Sequence, residues 1–471
     1  MRRIAWLPVL PLVAILIALG TSRNPAPAAA GDLRFDGARA FGDLEALVAQ
    51  FGPRPTHPER SRVVAAWIAD RWKAEGFQAR VSTGLADGRR VSNAIAMLPG
   101  ATDRFLVVLG HHDSVMAGPG AEDNASAVAA LFEIARALRD RPLRHTIVLA
   151  ATDAEETGGQ GADLLIADLG RDRILRTDAC VGLEMLAWPG GAPVLHALPR
   201  NYALDVAGVS TPGTVPAVIA RAAPEHVPLG DPAIPLLAQS LTRGARVRTG
   251  SDDVYFLREG VPSLFLSRSS LSRFYPHYHK PTDTPDRLSP AALHSSGRIL
   301  ESALLALDAR DDWRDGPTDY LLWHSSLLTQ RHLAGISISA ALPLAVLALV
   351  FRPRCRRLAF GAALAALPLI SCSLRFQPLA LFVALPHAAL WPLIASTRPR
   401  WARFALSTLA TLPTVLALAL GTAGTLGFGL ELPQVAAISS LLAAAFASAG
   451  TLCAARGLPG TVSAAPAEPR G

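Results

Sequence analysis

The residues with the most chemical capacity lie between Phe105 and Glu156. Gly110-His111-His112-Asp113-Ser114, Asp123-Asn124 and Glu155-Glu156 each stand near the end of an apolar run. His111 follows a run that reads as a strand, and it offers one ring nitrogen to a metal. Asp113 projects to the same side if strand geometry persists. There it is placed to hydrogen-bond the other ring nitrogen, which fixes the tautomer and raises ligand basicity. Asp123 precedes a helix start, where a carboxylate either caps free backbone N–H groups or binds a cation. Glu155 and Glu156 follow a buried strand, and two adjacent acids there are costly to bury unless they meet cations. One of the pair can bind a metal while its neighbour acts as a base. Glu184 ends a further apolar run, and Tyr275-Pro276-His277-Tyr278-His279-Lys280-Pro281-Thr282-Asp283-Thr284 is dense in ligand-capable groups. His111, Asp123, Glu156, Glu184 and His279 are thus five candidate ligands. That set suits two ions sharing one carboxylate, and mixed imidazole and carboxylate ligands at open sites suit zinc. Paired ions roughly 3.5–4 Å apart can activate a water and polarise a carbonyl.

The elements that must position these groups are legible around them. Residues 105–109 and 146–151 read as buried strands and 125–138 as a helix between them, giving strand, helix, strand. In open α/β sheets, ligands gather at the carboxyl ends of parallel strands. Helical spacing runs over 61–75 and stops at Gly76; 77–82, 91–98, 179–183 and 261–266 read as strands. Short helices are expected over 215–223 and 235–242. Residues 185–230 are rich in Gly and Pro and give no clear elements, and no internal repeat is found.

Charge and hydropathy divide the chain. Its net charge is +7, yet residues 333–471 carry ten Arg and two Glu (+8) and residues 1–30 carry three Arg (+3), leaving −4 for 31–332. The basic balance therefore belongs to membrane flanks, and the acidic middle excludes the basic footprint of a nucleic-acid binder. Arg2-Arg3 before the apolar run 4–19, with small residues at 26–30, reads as a secretory signal or an uncleaved anchor. Apolar stretches at 333–351, 358–374, 378–395, 404–424 and 435–455 are near the roughly 20 residues that a spanning helix needs. The Arg-rich loops, 352–357 and 398–403, are expected to face the cytoplasm. The expected organisation is then a signal peptide or anchor (1–30), an exported α/β domain (31–310), a polar linker (311–332), about five transmembrane helices (333–455) in the lipid bilayer, and a cytoplasmic tail (456–471). Cys180 alone falls in the exported domain, which must therefore be stable without an internal disulfide.

Together these motifs resemble the aminopeptidase S and aminopeptidase Y family of co-catalytic zinc exopeptidases, which also includes glutamate carboxypeptidase II and glutaminyl cyclases. The resemblance covers roughly residues 40–305, from Gly52-Pro53-Arg54, placed before the first helix, to Asp283-Thr284-Pro285-Asp286. It rests on His111-His112-Asp113-Ser114, Gly120-Ala121-Glu122-Asp123-Asn124, Glu155-Glu156 and Tyr278-His279. It implies a three-layer αβα sandwich around a mostly parallel mixed sheet. It also implies that His111, Asp123 and Glu184 hold one zinc, and that Asp123, Glu156 and His279 hold the other. Glu155 would be the general base, Tyr278 would stabilise the tetrahedral intermediate, and Asp113 would complete the catalytic set. His112 and His277 are then bystanders. Two departures stand out: the family usually has Asp where this chain has Glu184, and Ser-Asp-His where it has Ser251-Asp252-Asp253, a change expected to alter substrate contacts. The implied activity is exopeptidase action on exported peptides, most simply as an aminopeptidase. The rival readings are a glutaminyl-cyclase-like acyltransferase and a receptor-like domain without catalysis. Nothing in the sequence signals an oligomeric state.

Overall fold

The computed structural model describes residues 32–197, 211–223, 251–270, 273–310, 313–316, 320–323 and 326–329. The chain enters through α1 (Gly37–Phe51), whose first turn is capped by Asp36 Oδ1 accepting the Ala38 and Arg39 N–H groups at 2.9 and 3.2 Å. Next come α2 (Pro58–Ala74), the hairpin β1 (Gln78–Ala86) and β2 (Arg89–Leu98), then β3 (Phe105–His111), α3 (Ser126–Leu138) and β4 (Thr146–Thr152). They are followed by α4 (Gln160–Leu175), β5 (Thr177–Glu184), β6 (Val194–Ala197), α5 (Thr214–Ala222), α6 (Asp253–Arg258), β7 (Ser263–Ser267) and α7 (Pro290–Asp308). A separate antiparallel pair joins β8 (Tyr320–Trp323) to β9 (Ser326–Thr329).

The main sheet has seven strands in the order β1-β2-β4-β3-β5-β7-β6. Its centre, β4-β3-β5-β7, is parallel, and antiparallel strands flank it on both sides. Strand β3 is buried along its whole length, as a parallel strand covered on both faces must be. Leu106 and Val108 point into a core shared with α1, α2, α3, α5 and α7. Phe105, Val107 and Leu109 point the other way, against Leu165 and Leu169 of α4 and Phe256 of α6. The two-residue period of the strand thus separates two helical layers. The chain leaves β3 towards the α3 face and β4 towards the α4 face, and such divergence opens a crevice outside the carboxyl ends. His111 and Glu184 are the last residues of β3 and β5, and Glu155-Glu156 lie in the turn that follows β4.

Several expectations are corrected. The first helix precedes Gly52 rather than following it, and α4 and α7 are helices beyond those expected. In α4 the backbone breaks helical geometry at Gly170 (φ 72°, ψ 158°), which blurs its period. Strand β6 lies in the stretch that gave no clear elements, because four residues are too few for alternation to register. The supposed polar linker contains β8 and β9. Among the described residues, no helix is long and apolar enough to cross a membrane. The five candidate spans, the 1–30 signal and the helix expected at 235–242 lie outside the described residues.

At the amino edge of the sheet, opposite the site, His145 is buried between two carboxylates. Its Nδ1 lies 3.0 Å from Asp308 Oδ1 and its Nε2 2.9 Å from Asp178 Oδ2. Burial alone would lower its pKa, but Asp178 and Asp308 outweigh that and lift it to about 9. A raised folded-state pKa contributes stability that is complete below the unfolded value of about 6.5 and is lost as pH rises through about 9. Removing the ring leaves Asp178 paired with Arg104 and Asp308 with the Arg144 and His145 N–H groups, so His145→Ala is expected to cost about 1–3 kcal/mol at neutral pH. Urea unfolding over a pH series should show wild-type stability declining between neutral pH and pH 9, with that decline flattened in the variant.

Candidate metal centre

At the carboxyl edge, the five candidate ligands form two trios that share one carboxylate. One potential ligand atom from each of His111, Asp123 and Glu184 lies within 4.8 Å of the others, and the same holds for Asp123, Glu156 and His279. His111 Nε2 is 3.3 Å from Asp123 Oδ1 and 3.6 Å from Glu184 Oε1. His279 Nε2 is 3.3 Å from Asp123 Oδ2 and 2.9 Å from Glu156 Oε2. The two Asp123 oxygens therefore face different trios. Glu155 Oε2 stands 3.9 Å from His111 Nε2, with a quarter of its side chain open to solvent. Tyr278 is half-buried, and its ring stacks on His279 at 3.8 Å.

Neighbouring groups fix each of these side chains. His111 Nδ1 meets Asp113 twice, at the main-chain carbonyl (3.0 Å) and at Oδ1 (3.3 Å). The Asp113 carboxylate also accepts the Glu155 and Glu156 N–H groups, each at 3.2 Å, so one buried acid orients both the imidazole and the Glu-Glu turn. Asp283 does the same for Asp123: it accepts the Glu122 N–H at 2.9 Å and the Asp123 N–H at 3.2 Å, while Tyr275 donates its hydroxyl at 2.9 Å. The Asp123–Asn124 peptide bond is cis. Asn124 Nδ2 donates to the Leu183 carbonyl (2.8 Å) and to Glu184 Oε2 (3.0 Å), and Ser251 donates its hydroxyl to Glu184 Oε1. The longer Glu184 is thus held at both oxygens.

Of these supports, only Asp113 carries a local sequence signal, its two-residue spacing from His111. Asn124, Asp283 and Ser251 carry no such spacing. The one available signal is their place beside ligands at element ends. The Ser251-Asp252-Asp253 departure also reads differently in space. All three are buried, Ser251 braces Glu184, and Asp252 accepts the Thr152 hydroxyl at the end of β4. His112 turns away, its Nε2 2.8 Å from the Ser92 carbonyl, and His277 pairs with Thr282. Glu122, beside Asp123, accepts the Ala187 and Trp188 N–H groups instead of joining either trio.

The electrostatics show a surplus of negative charge. Burial, reinforced by Asp123, pushes the Glu156 carboxyl up to about 7, and burial lifts Asp252 to about 7. Glu155 rises well above the usual carboxylate range, through burial and then the charges of Glu184, Asp252 and Asp113. Burial works against the His111 imidazolium, but Glu184, Asp113 and Asp123 raise its pKa well above the ordinary imidazole value. Asp123, against its own burial, is held near 2 by His111 and His279. The carboxyls pushed up are the ones whose repulsion a cation would relieve. Glu156 Oε1 is buried with no hydrogen-bond partner, and Asp123 Oδ2 is buried with only the His279 ring nitrogen near it, out of hydrogen-bond alignment. Orphaned carboxylate oxygens that converge on imidazole nitrogens fit a hard or borderline divalent ion, and the mixed donors fit zinc.

A layered α/β domain with two imidazole–carboxylate trios at its topological switch has a site built to hold divalent cations. Residues 93–304 match the family model described as Peptidase family M28. Aminopeptidase YwaD of Bacillus subtilis (strain 168) is 26% identical over 207 residues, covering 42% of this chain and 40% of that protein. A probable lipoprotein aminopeptidase, LpqL, of Mycobacterium tuberculosis is 28% identical over 251 residues, covering 48% of this chain and 49% of that one. The chain therefore spans less than half the length of these two curated relatives. Among solved structures, BSAP, a zinc aminopeptidase from Bacillus subtilis, superposes with a TM-score of 0.48 at 15% identity, covering 58% of this chain and 95% of the other.

Because Asp123 belongs to both trios, Asp123→Ala should weaken cation binding at both. His279→Ala should weaken it at one, since the first trio keeps all its groups. Zinc content after dialysis, measured on the folded variants, should fall further in the first than in the second.

Proposed function

We propose that this protein is a membrane-anchored zinc exopeptidase of the aminopeptidase type, acting on peptides outside the cytoplasm with two zinc ions per chain. The observation that carries the reading is the sharing of Asp123 between two imidazole–carboxylate trios, with a further carboxylate, Glu155, beside them and outside both. His111, Asp123 and Glu184 would hold one ion, and Asp123, Glu156 and His279 the other. When bound, such a pair makes a water more acidic and polarises a carbonyl. The names of the bacterial relatives favour an aminopeptidase. The N-terminal apolar run, the apolar C-terminal stretches and their Arg-rich loops support membrane attachment, with residues 31–332 outside.

The remaining chemistry belongs to side chains of this chain. Glu155 takes the proton of the attacking water and delivers it to the leaving amine, so one carboxyl serves as base and then as acid. It suits this task because it is set apart from both trios, yet stands among charges that favour its protonated form. Tyr278, whose burial beside Asp123 and Glu156 keeps the phenol protonated, donates to the oxygen of the carbonyl as negative charge develops there. Asp113 holds His111 and the Glu155-Glu156 turn in one frame, so base and ligands keep a fixed relation. The partly exposed Glu155 and His279 mark the side from which a peptide enters.

The test is a peptide-library digest by the detergent-solubilised full-length protein, with zinc quantified. Release of free N-terminal amino acids, abolished by chelator and restored by zinc, is the expected result. Release of C-terminal residues alone, pyroglutamate formation alone, or chelator-insensitive turnover would overturn the reading. Glu155→Gln should retain its zinc but lower kcat by about 100- to 10,000-fold; unchanged turnover would remove Glu155 from the mechanism.

A further inference from the structure

Beneath the metal centre lies a cation that the proposed chemistry does not use. Arg54 is only 2% exposed. A buried guanidinium normally meets a carboxylate, because an unpaired buried charge is expensive. Arg54 instead binds four neutral main-chain carbonyls. Nε donates to His112 at 2.7 Å, Nη1 to Gly52 at 2.9 Å and Pro119 at 2.6 Å, and Nη2 to Gly120 at 2.8 Å. Among the described residues, no carboxylate lies within ion-pair distance of it. Its charge is offset at longer range by Asp113, Asp283 and Asp123, the acids that line the site.

The acceptors show what the group does. His112 directly follows His111, and Pro119-Gly120 lead into the turn that carries Asp123. The main chain of Arg54 is itself locked: its N–H donates to Ser114 Oγ at 2.9 Å, and the Ser114 N–H donates to its carbonyl at 3.0 Å. Gly120 has φ 61°, and a Cβ there would lie 2.5 Å from the Asp123 carbonyl and 3.1 Å from Arg54 Nη2, so the turn is pressed onto the guanidinium. We propose that Arg54 is a positioning residue for the metal centre, its planar fork tying the segment after His111 to the segment before Asp123. A guanidinium presents five N–H donors in a rigid plane, whereas an ammonium presents three from one point. Lysine keeps the charge but cannot span carbonyls on three separate segments. Arg54 touches no substrate, and it acts only through the spacing of His111 and Asp123.

The inference rests on the zinc reading above, and its test separates the two. Zinc affinity is measured on the full-length protein by competition with a chromogenic chelator, and the cobalt-substituted protein is examined by visible absorption. Arg54→Lys is expected to weaken zinc binding by about 10- to 100-fold and to alter the cobalt spectrum. Arg141→Lys serves as a control for loss of a part-buried guanidinium, since Arg141 pairs with Glu301 away from the site; it should leave both readouts unchanged. Wild-type zinc affinity and an unaltered cobalt spectrum in folded Arg54→Lys would overturn the proposal while leaving the peptidase reading intact. If Arg54→Lys does not fold, Ser114→Ala takes its place, with weaker zinc binding expected and wild-type binding overturning the idea. A wild-type protein that binds no zinc would sink both.

Discussion

The constraint on which this structure depends is the mutual repulsion of carboxylates crowded at one edge of a sheet. Asp113, Asp123, Glu155, Glu156, Glu184 and Asp252 share a small, largely dry volume with only two imidazoles among them. The folded chain tolerates this in three ways: main-chain N–H groups aimed at Asp113 and Asp283, a raised proton affinity at Glu155, Glu156 and Asp252, and the distant charge of Arg54. None of them satisfies the two orphaned oxygens of Asp123 and Glu156. A hydrophobic frame rigid enough to hold the acids together is therefore a frame that selects cations.

That frame is built from parallel strands covered on both faces. Because β3 and β5 end in ligands and β4 in the turn carrying Glu155 and Glu156, sheet register fixes the ligand spacing before any loop contributes. Val107↔Val148 and Val107↔Cys180 pairing aligns the three carboxyl ends. A slip of one residue would turn each end residue to the other face, so the core packing and the site depend on one register.

Much of this was legible in the sequence where local pattern and function coincide. The runs before His111 and Glu156 are short, apolar and followed at once by polar groups, and 125–138 has the apolar density of a buried helix, which α3 is on nearly every side. What escaped reading lacks such a local signature. Helix α1 is announced by the Asp36 cap, but its apolar residues lie among charges. Helix α4 is interrupted at Gly170. Arg54, Asn124, Asp283 and Ser251 act through hydrogen bonds to residues about 60 or more positions away, and no window of sequence contains both ends of such a bond. Composition pointed to five candidate ligands; only three-dimensional closure shows that the two oxygens of Asp123 face opposite ways.

The loop that supplies His279 also supplies Asp283, which holds the backbone of Asp123 some 160 positions earlier. His111, Asp123 and Glu156 leave the ribosome first, yet the shared acid gains its brace, and one trio gains its imidazole, only when residues 275–283 have emerged and docked. Until then a growing chain carries an unfinished centre. Whatever the completed centre does once filled, it can do only after that last loop has docked.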